Sequence, residues 1–155
     1  MEIERKFKVF GLPNLSEYKY HEIEQAYINE DPVIRVRRED DTYYMTYKGS
    51  GMLAREEYNL PLNKKSYDNL SGYTKHRIIS KRRYLIPYGD HTIELDIFKG
   101  ELEGLVIAEV EFDSVDEANG FTAPDWFSED VTYDKNYHNS NLCRMDDATL
   151  KHLLK

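Results

Sequence analysis

The N-terminal residues carry side chains that could bind a metal ion and a phosphate group. Glu2, Glu4, Lys6 and Lys8 occupy alternate positions, and on a β-strand alternate side chains share one face. Carboxylate oxygens bind hard divalent cations such as Mg²⁺, whereas ammonium groups bind phosphate oxygens. This segment therefore predicts a strand face that meets either solvent or a ligand containing phosphate and metal.

Six later segments repeat this arrangement, with charges on one face and apolar groups on the other. The residues on their charged faces include Arg35, Arg37, Lys48, Arg55, Glu57, Lys81, Arg83, Glu94, Asp96, Glu109 and Glu111. A solvated outer face is the ordinary explanation of one such strand. Here, however, the paired acids fall on the first, seventh and eighth strands and the bases on the third, fourth and sixth, whereas ordinary surfaces intersperse the two signs and like charges two positions apart repel. The segregation indicates a ligand-lined interior.

An apolar period of two over most of the first 113 residues predicts the elements that would position these groups. Strands are predicted at residues 2–9, 22–29, 33–38, 43–48, 55–60, 78–86, 92–98 and 105–113. Helices are predicted at 64–70, at 115–119 with Ser114 as N-cap, and at 146–155. Eight such strands can close around one small ligand. We expect a mainly β (α+β) fold, an eight-stranded antiparallel closed β-barrel tunnel with flanking short helices and a C-terminal helix.

Composition limits the class of protein. The 155 residues are 40% hydrophobic and 32% charged, which predicts one globular domain over residues 1–155. The net charge of -8 argues against nucleic-acid binding, and no apolar run is long enough to predict a membrane partner. Cys143 has no second cysteine to pair with, which suits a reducing compartment. We expect a cytoplasmic protein, with a homodimer as the default oligomeric state.

The ordered motifs resemble those of the triphosphate tunnel metalloenzymes, the CYTH superfamily, and among them the bacterial inorganic tripolyphosphatases. The family signature E-x-E-x-K corresponds to Glu2, Glu4 and Lys6. The motifs R-V-R, T-Y-K, R-E-E-Y, K-R-R, E-L-D and E-V-E-F follow in the family order, and the late segment V-T-Y-D-K-N-Y-H-N contains Lys135. The resemblance implies hydrolysis of a triphosphate with one or two Mg²⁺ or Mn²⁺ ions.

The same resemblance gives expected roles to individual residues. Glu2, Glu4 and Lys81 are the expected catalytic residues, and a carboxylate of the Glu2/Glu4 pair would orient or deprotonate the attacking water. The expected metal ligands are Glu2, Glu4, Asp96, Glu109 and Glu111. The expected substrate contacts are Lys6, Lys8, Tyr27, Arg35, Arg37, Lys48, Arg55, Glu57, Lys81, Arg83 and Lys135.

Two other functions are open from the sequence. A class IV-type adenylyl cyclase would use the same metal and triphosphate groups to form a cyclic nucleotide and release pyrophosphate. A non-catalytic polyphosphate- or nucleotide-binding module would bind without turnover, although binding alone does not require so many carboxylates beside an anion. The sequence does not rank inorganic tripolyphosphate against a nucleoside triphosphate.

Overall fold

The strands form an antiparallel sheet that curls into a nearly closed barrel in the computed structural model, which describes residues 1–154. The strands are β1 (Glu2–Val9), β2 (Lys19–Glu30), β3 (Val33–Glu39), β4 (Thr42–Lys48), β5 (Ala54–Arg55), β6 (Glu57–Leu62), β7 (Ile79–Tyr88), β8 (His91–Phe98), β9 (Val106–Glu111) and β10 (Phe127–Asp130). The helices are α1 (Lys64–Ser71), α2 (Val115–Asn119), α3 (Asn139–Leu142) and α4 (Asp147–Leu153), with 3₁₀ turns at Gly100–Leu102 and Lys135–Tyr137.

The order of hydrogen-bonded neighbours is β10-β1-β9-β8-β7-β2-β3-β4-β6. The ring is closed by β5, whose Ala54 and Arg55 pair with the first residues of β1. The loop before β5 contains Gly51, which has φ 124°, and an added Cβ would collide with the carbonyl oxygen of Ala54. Glycine is therefore required for the chain to turn back toward β1.

The predicted class of fold is confirmed, and the strand count differs for two reasons. The predicted strand at 55–60 is interrupted at Glu56, so its first residues pair with β1 and the rest with β4. A further strand, β10, extends the sheet along the edge of β1 that also meets β5. The predicted C-terminal helix is observed as α4, and the last residue of that prediction, Lys155, lies outside the described residues.

Most of the apolar core lies outside the barrel wall, because the charged residues occupy the inward positions of most strands. Phe7, Ile93 and Val110 on the outer faces of β1, β8 and β9 pack with Phe112 and Phe127 from the segment that crosses them. On the other side, α1 covers β2 and β3 through Tyr67, which packs with two small core residues. A third cluster, containing Ile79, Phe98 and Leu142, joins strand ends to the segment around α3.

Two helices, α1 and α2, begin at the predicted residues, α4 begins one residue later than predicted, and α3 was not predicted. The side chains of Asn63, Ser114 and Asp146 each accept a hydrogen bond from a backbone N–H in the first turn of α1, α2 and α4, the ordinary role of an N-cap. Within residues 1–154 we find no helix of the length and apolarity needed to cross a bilayer.

Candidate active site

A polar cavity of about 190 Å³ lies inside the barrel. Its lining includes twelve of the residues expected from the sequence: Glu2, Glu4, Lys6, Tyr27, Arg35, Arg37, Lys48, Arg55, Glu57, Arg83, Glu109 and Glu111. They come from seven of the eight predicted strands and from both ends of the barrel sheet. The alternation of side chains along each strand thus places the two charge types around one space.

Carboxylates crowd the wall that β1, β8 and β9 form. Glu4 pairs directly with Glu111 in the sheet, and Glu94 pairs with Glu109. Burial, together with repulsion from Glu109 and Glu2, raises the pKa of Glu4. Partial burial and repulsion from Glu2 and Glu94 raise the pKa of Glu111 to about 7. Directly opposed like charges destabilise a sheet, so this wall is better suited to a cation than to stability alone.

Most of the bases in the cavity contact these carboxylates. The ammonium group of Lys48 lies 3.0 and 3.3 Å from the two carboxylate oxygens of Glu2, and that of Lys6 lies 3.3 Å from Glu109. Arg83 donates hydrogen bonds to Glu94 at 3.0 Å and to Glu109 at 3.2 Å. Acidic and basic groups therefore neutralise each other across much of the cavity.

Two arginines of β3 have different surroundings. Arg37 donates from Nε and Nη2 to the amide oxygen of Gln25, at 2.9 and 2.6 Å. Arg35 donates from Nη2 to the hydroxyl of Thr46 at 3.1 Å, and its buried Nε has no hydrogen-bond partner. Burial and repulsion from Arg35 and Arg83 lower the pKa of Arg37. A buried donor without an acceptor is costly, and this one suits a phosphate oxygen.

Lys81 and Asp96, which the sequence placed in the catalytic and metal sets, do not line the cavity. Both side chains are 0% exposed, and their charged atoms lie 2.7 Å apart. Asp96 also accepts two hydrogen bonds from Arg83, at 2.7 and 2.9 Å. Burial lowers the pKa of Lys81 to about 8, although Asp96 acts in the opposite direction. Both oxygens of Asp96 are thus occupied by bases.

Lys8 and Lys135 also lie away from the cavity lining. The pairing of β1 with β10 shifts register between Phe7 and Val9, and the side chain of Lys8 is 40% exposed, 3.9 Å from Glu129. Lys135 is exposed and lines a surface pocket of its own. That pocket shares Arg55 and His138 with the cavity lining, so Lys135 lies near one mouth of the cavity.

The cavity lining also contains residues that the sequence did not assign to the catalytic, metal or substrate set: Val33, Glu39, Tyr44, Glu94, His138, Asn139 and Ser140. Glu39, Tyr44 and Glu94 continue the inward alternation of β3, β4 and β8, so the period was a usable signal for them. His138 reaches the cavity because the chain after β10 returns beneath β1, where Lys6 donates to the carbonyl oxygen of Tyr137 at 3.2 Å. That segment has no apolar period from which this return could be predicted.

The carboxylates of the cavity fit a divalent cation that the substrate helps to hold. In the part of the chain that the structure describes, no three His, Cys, Asp or Glu side chains converge into a ready-made metal site. Mg²⁺ ordinarily keeps several waters and takes one or two carboxylates together with substrate phosphates. Glu4 and Glu111, with Glu2 beside them, supply donors of that kind. Burial, together with neighbouring carboxylates, raises the pKa of all three, and a bound cation would counteract that rise.

Comparisons with known proteins agree with this arrangement. An inorganic triphosphatase from Nitrosomonas europaea is 38% identical over 146 residues, which cover 91% of this chain and 95% of that protein. An inorganic triphosphatase from Acetivibrio thermocellus is 40% identical over 148 residues, or 92% of this chain and 93% of that protein. The crystal structure of an inorganic triphosphatase matches with a TM-score of 0.69 and 36% identity, and the match covers 92% of this chain and 94% of that one. The family profile of the CYTH domain matches residues 1–137. The chain belongs to the CYTH domain family.

Proposed function

We propose that this protein hydrolyses inorganic triphosphate to pyrophosphate and phosphate, with Mg²⁺ or Mn²⁺ as cofactor. The observation that carries the proposal is one cavity in which carboxylates crowd the wall of β1, β8 and β9 and most guanidinium and ammonium groups come from the other strands. A linear polyanion that carries a metal ion satisfies both walls at once. Two relatives that match over more than nine-tenths of the chain are named inorganic triphosphatases, which supports the same substrate here.

Each wall has a distinct part in the proposed reaction. Glu2, Glu4, Glu109 and Glu111 would hold the cation, which supplies charge neutralisation and Lewis acidity when bound. Arg35, Arg37 and Lys48, with Lys6 and Arg83, would bind the phosphate oxygens and align the chain for attack on a terminal phosphorus. A carboxylate of the Glu2/Glu4 pair would orient the attacking water. Phosphoryl transfer requires mainly such positioning and stabilisation of charge.

The ion pairs across the cavity link binding of the substrate to binding of the metal. When Lys48 turns from Glu2 toward a phosphate, Glu2 loses its nearest cation, and a metal ion can replace it. The same exchange applies to Lys6 and Glu109, which are 3.3 Å apart. Phosphate binding draws a base away from its carboxylate, and metal binding neutralises that carboxylate. Each ligand therefore favours binding of the other, and triphosphate and metal should bind with positive coupling.

The lining favours an inorganic chain over a nucleotide. Val33 is the only aliphatic residue of the lining, and the hydroxyl of Tyr44 is already bonded to Arg37 and lies 3.3 Å from Glu39. Apart from Tyr27 and His138, little of the lining could stack on a base. Nucleotide sites are ordinarily lined by broad apolar and aromatic surface, which this cavity lacks among its described residues.

A phosphate-release panel tests the proposal. Tripolyphosphate, ATP, GTP and thiamine triphosphate would each be incubated with Mg²⁺ or Mn²⁺, and the products separated. We expect the highest kcat/KM for tripolyphosphate, with phosphate and pyrophosphate as products. Cyclic AMP with pyrophosphate from ATP would instead identify a cyclase, and tight binding without turnover would identify a binding module.

Two further expectations belong to the same proposal. The protein would act in the cytoplasm, where Cys143, the buried free cysteine, stays reduced. A homodimer also stays a prediction, which analytical ultracentrifugation of the full chain tests.

A further inference from the structure

The bases of the cavity differ in the groups that hold them. Lys48 and Arg55 lie 3.0 and 3.6 Å from Glu2, and Lys6 and Arg83 contact Glu109. These four cations are already matched by carboxylates. Arg35 and Arg37, which are 4% and 6% exposed, are held by an uncharged hydroxyl and an uncharged amide.

Gln25 orients Arg37 from behind the lining. Its side chain is 0% exposed, and its amide oxygen accepts from both Nε and Nη2 of Arg37. Both bonds converge on one oxygen, and a glutamate oxygen at the same place could accept both of them. Because the group at this position is an amide rather than a carboxylate, the guanidinium of Arg37 is held in place but its positive charge is not compensated. The amide nitrogen of Gln25 lies 3.4 Å from the hydroxyl of Tyr27, which lines the cavity.

Thr46 holds Arg35 in the same uncharged manner. Its hydroxyl is buried, accepts from Arg35 and donates to the side-chain oxygen of Asn59 at 2.6 Å. Two carboxylates come near this pair of arginines: Glu39 lies 3.7 Å from Nη1 of Arg37, beyond hydrogen-bond distance, and Arg35 helps to lower the pKa of Glu57. Neither Gln25 nor Thr46 lines the cavity, so both would act through an arginine rather than on the substrate.

We propose that Gln25 and Thr46 are positioning residues that orient Arg37 and Arg35 without neutralising them, which makes these two guanidinium groups the phosphate anchor of the cavity. The proposal rests on the triphosphate substrate proposed above and adds the residues that determine its affinity. Lys6, Lys48 and Arg83 each share their charge with a carboxylate at 3.3 Å or less. Arg35 and Arg37 have no carboxylate within hydrogen-bond distance, so more of their positive charge is available to the polyanion.

The substitution Gln25→Glu tests the proposal, because it keeps the acceptor and adds one negative charge. Calorimetric titration of tripolyphosphate into metal-free protein would give Kd, and steady-state assays with Mg²⁺ would give KM and kcat. We expect Kd and KM to rise on the order of tenfold, the equivalent of about 1.4 kcal/mol, with a much smaller change in kcat. Because the new carboxylate pairs with Arg37, the melting temperature should be equal or higher, and this distinguishes lost charge from a damaged fold.

Two other variants complete the test. Lys151→Gln changes the net charge by the same amount at an exposed position of α4, and its Kd should match the wild type. Thr46→Val removes the hydroxyl that orients Arg35 and should also raise Kd, with thermal melting as the check on its fold.

The outcomes separate this inference from the proposed function. An unchanged Kd in folded Gln25→Glu, beside normal hydrolysis by the wild type, would overturn the role of Gln25 alone. Binding of tripolyphosphate by the wild type without hydrolysis would contradict the proposed reaction. The role of Gln25 would then be decided by comparing Kd of Gln25→Glu with that of the wild type. Absence of binding by the wild type would contradict both.

Discussion

Replacing Asp96 by Asn removes the carboxylate that lies between two buried cations, Lys81 and Arg83. The substitution preserves shape, but it deletes the negative partner of three charge-assisted hydrogen bonds of 2.7 to 2.9 Å. Arg83 keeps Glu94 and Glu109 as partners. Lys81 keeps no ion pair among the described residues, so most of the effect should come from its ammonium group.

The size of the effect follows from burial. Removing one partner of a buried pair costs about 3–5 kcal/mol, which corresponds to a melting temperature lower by about 6–20 °C in a domain of this size. The pKa of Lys81 is lowered by burial to about 8 in the wild type, and Asp96 is the main group that opposes this lowering. In Asp96→Asn the pKa of Lys81 therefore falls below 8, and the variant sheds the proton at a pH where the wild type keeps it. The destabilisation should consequently shrink by about 1.4 kcal/mol for each pH unit between the pKa of the variant and pH 8, and stay constant above that.

Urea denaturation at pH 7 and pH 9, followed by circular dichroism, measures the destabilisation at pH 7 and its decrease at the higher pH. Asp68→Asn is a matched control, because Lys64 and Asp68 form a pair of similar length, 2.8 Å, on the exposed surface of α1, and its loss should change stability little. Equal stability of Asp96→Asn and wild type at pH 7, or a destabilisation as large at pH 9 as at pH 7, would refute the reasoning.

Three further results are expected. Glu4→Gln should lower kcat by about a hundredfold or more, because it removes a cation ligand, while the melting temperature is kept or raised since repulsion from Glu111 is relieved. Arg37→Ala should raise KM on the order of tenfold or more, because it deletes a buried phosphate donor. The thiol of Cys143, whose pKa burial raises to about 11 and which is 2% exposed, should react with a thiol reagent at pH 8 only as fast as the protein opens.

Each of these has a contrary result. Near-normal turnover in Glu4→Gln would remove Glu4 from the metal site, and an unchanged KM in Arg37→Ala would remove that arginine from substrate binding. Labelling of Cys143 in the folded protein as fast as in urea would show that this part of the core is open.

The alternation of side chains is the part of this structure that a sequence expresses directly. Arg35 and Arg37 were placed on an inward face by a period of two, and the structure finds both in the cavity. The same rule was less informative where strands end or bend. Lys8 follows the inward parity, but a register shift beside it leads its side chain out of the cavity.

The alternation of residues does not indicate how far along the barrel axis an inward side chain lies. Lys81 and Arg83 have the same parity on β7, yet Arg83 lines the cavity and Lys81 lies behind it with Asp96. The role of Gln25 was equally hidden, because an isolated glutamine in a strand does not reveal which arginine it will meet. His138 enters the site through a loop whose path depends on tertiary contacts alone.

The placement of β1 at the closure of the barrel has a consequence for how the chain is made. Both of its edges are paired, and one of its partners, β9, begins only at Val106. At translation rates of about 5–20 residues per second, roughly 5–20 s pass between the synthesis of β1 and that of β9. An unpaired strand with an apolar face is an aggregation hazard, and charges on its other face are a common protection. We therefore expect the glutamates and lysines of β1 to reduce aggregation of the nascent chain before they can take part in any chemistry.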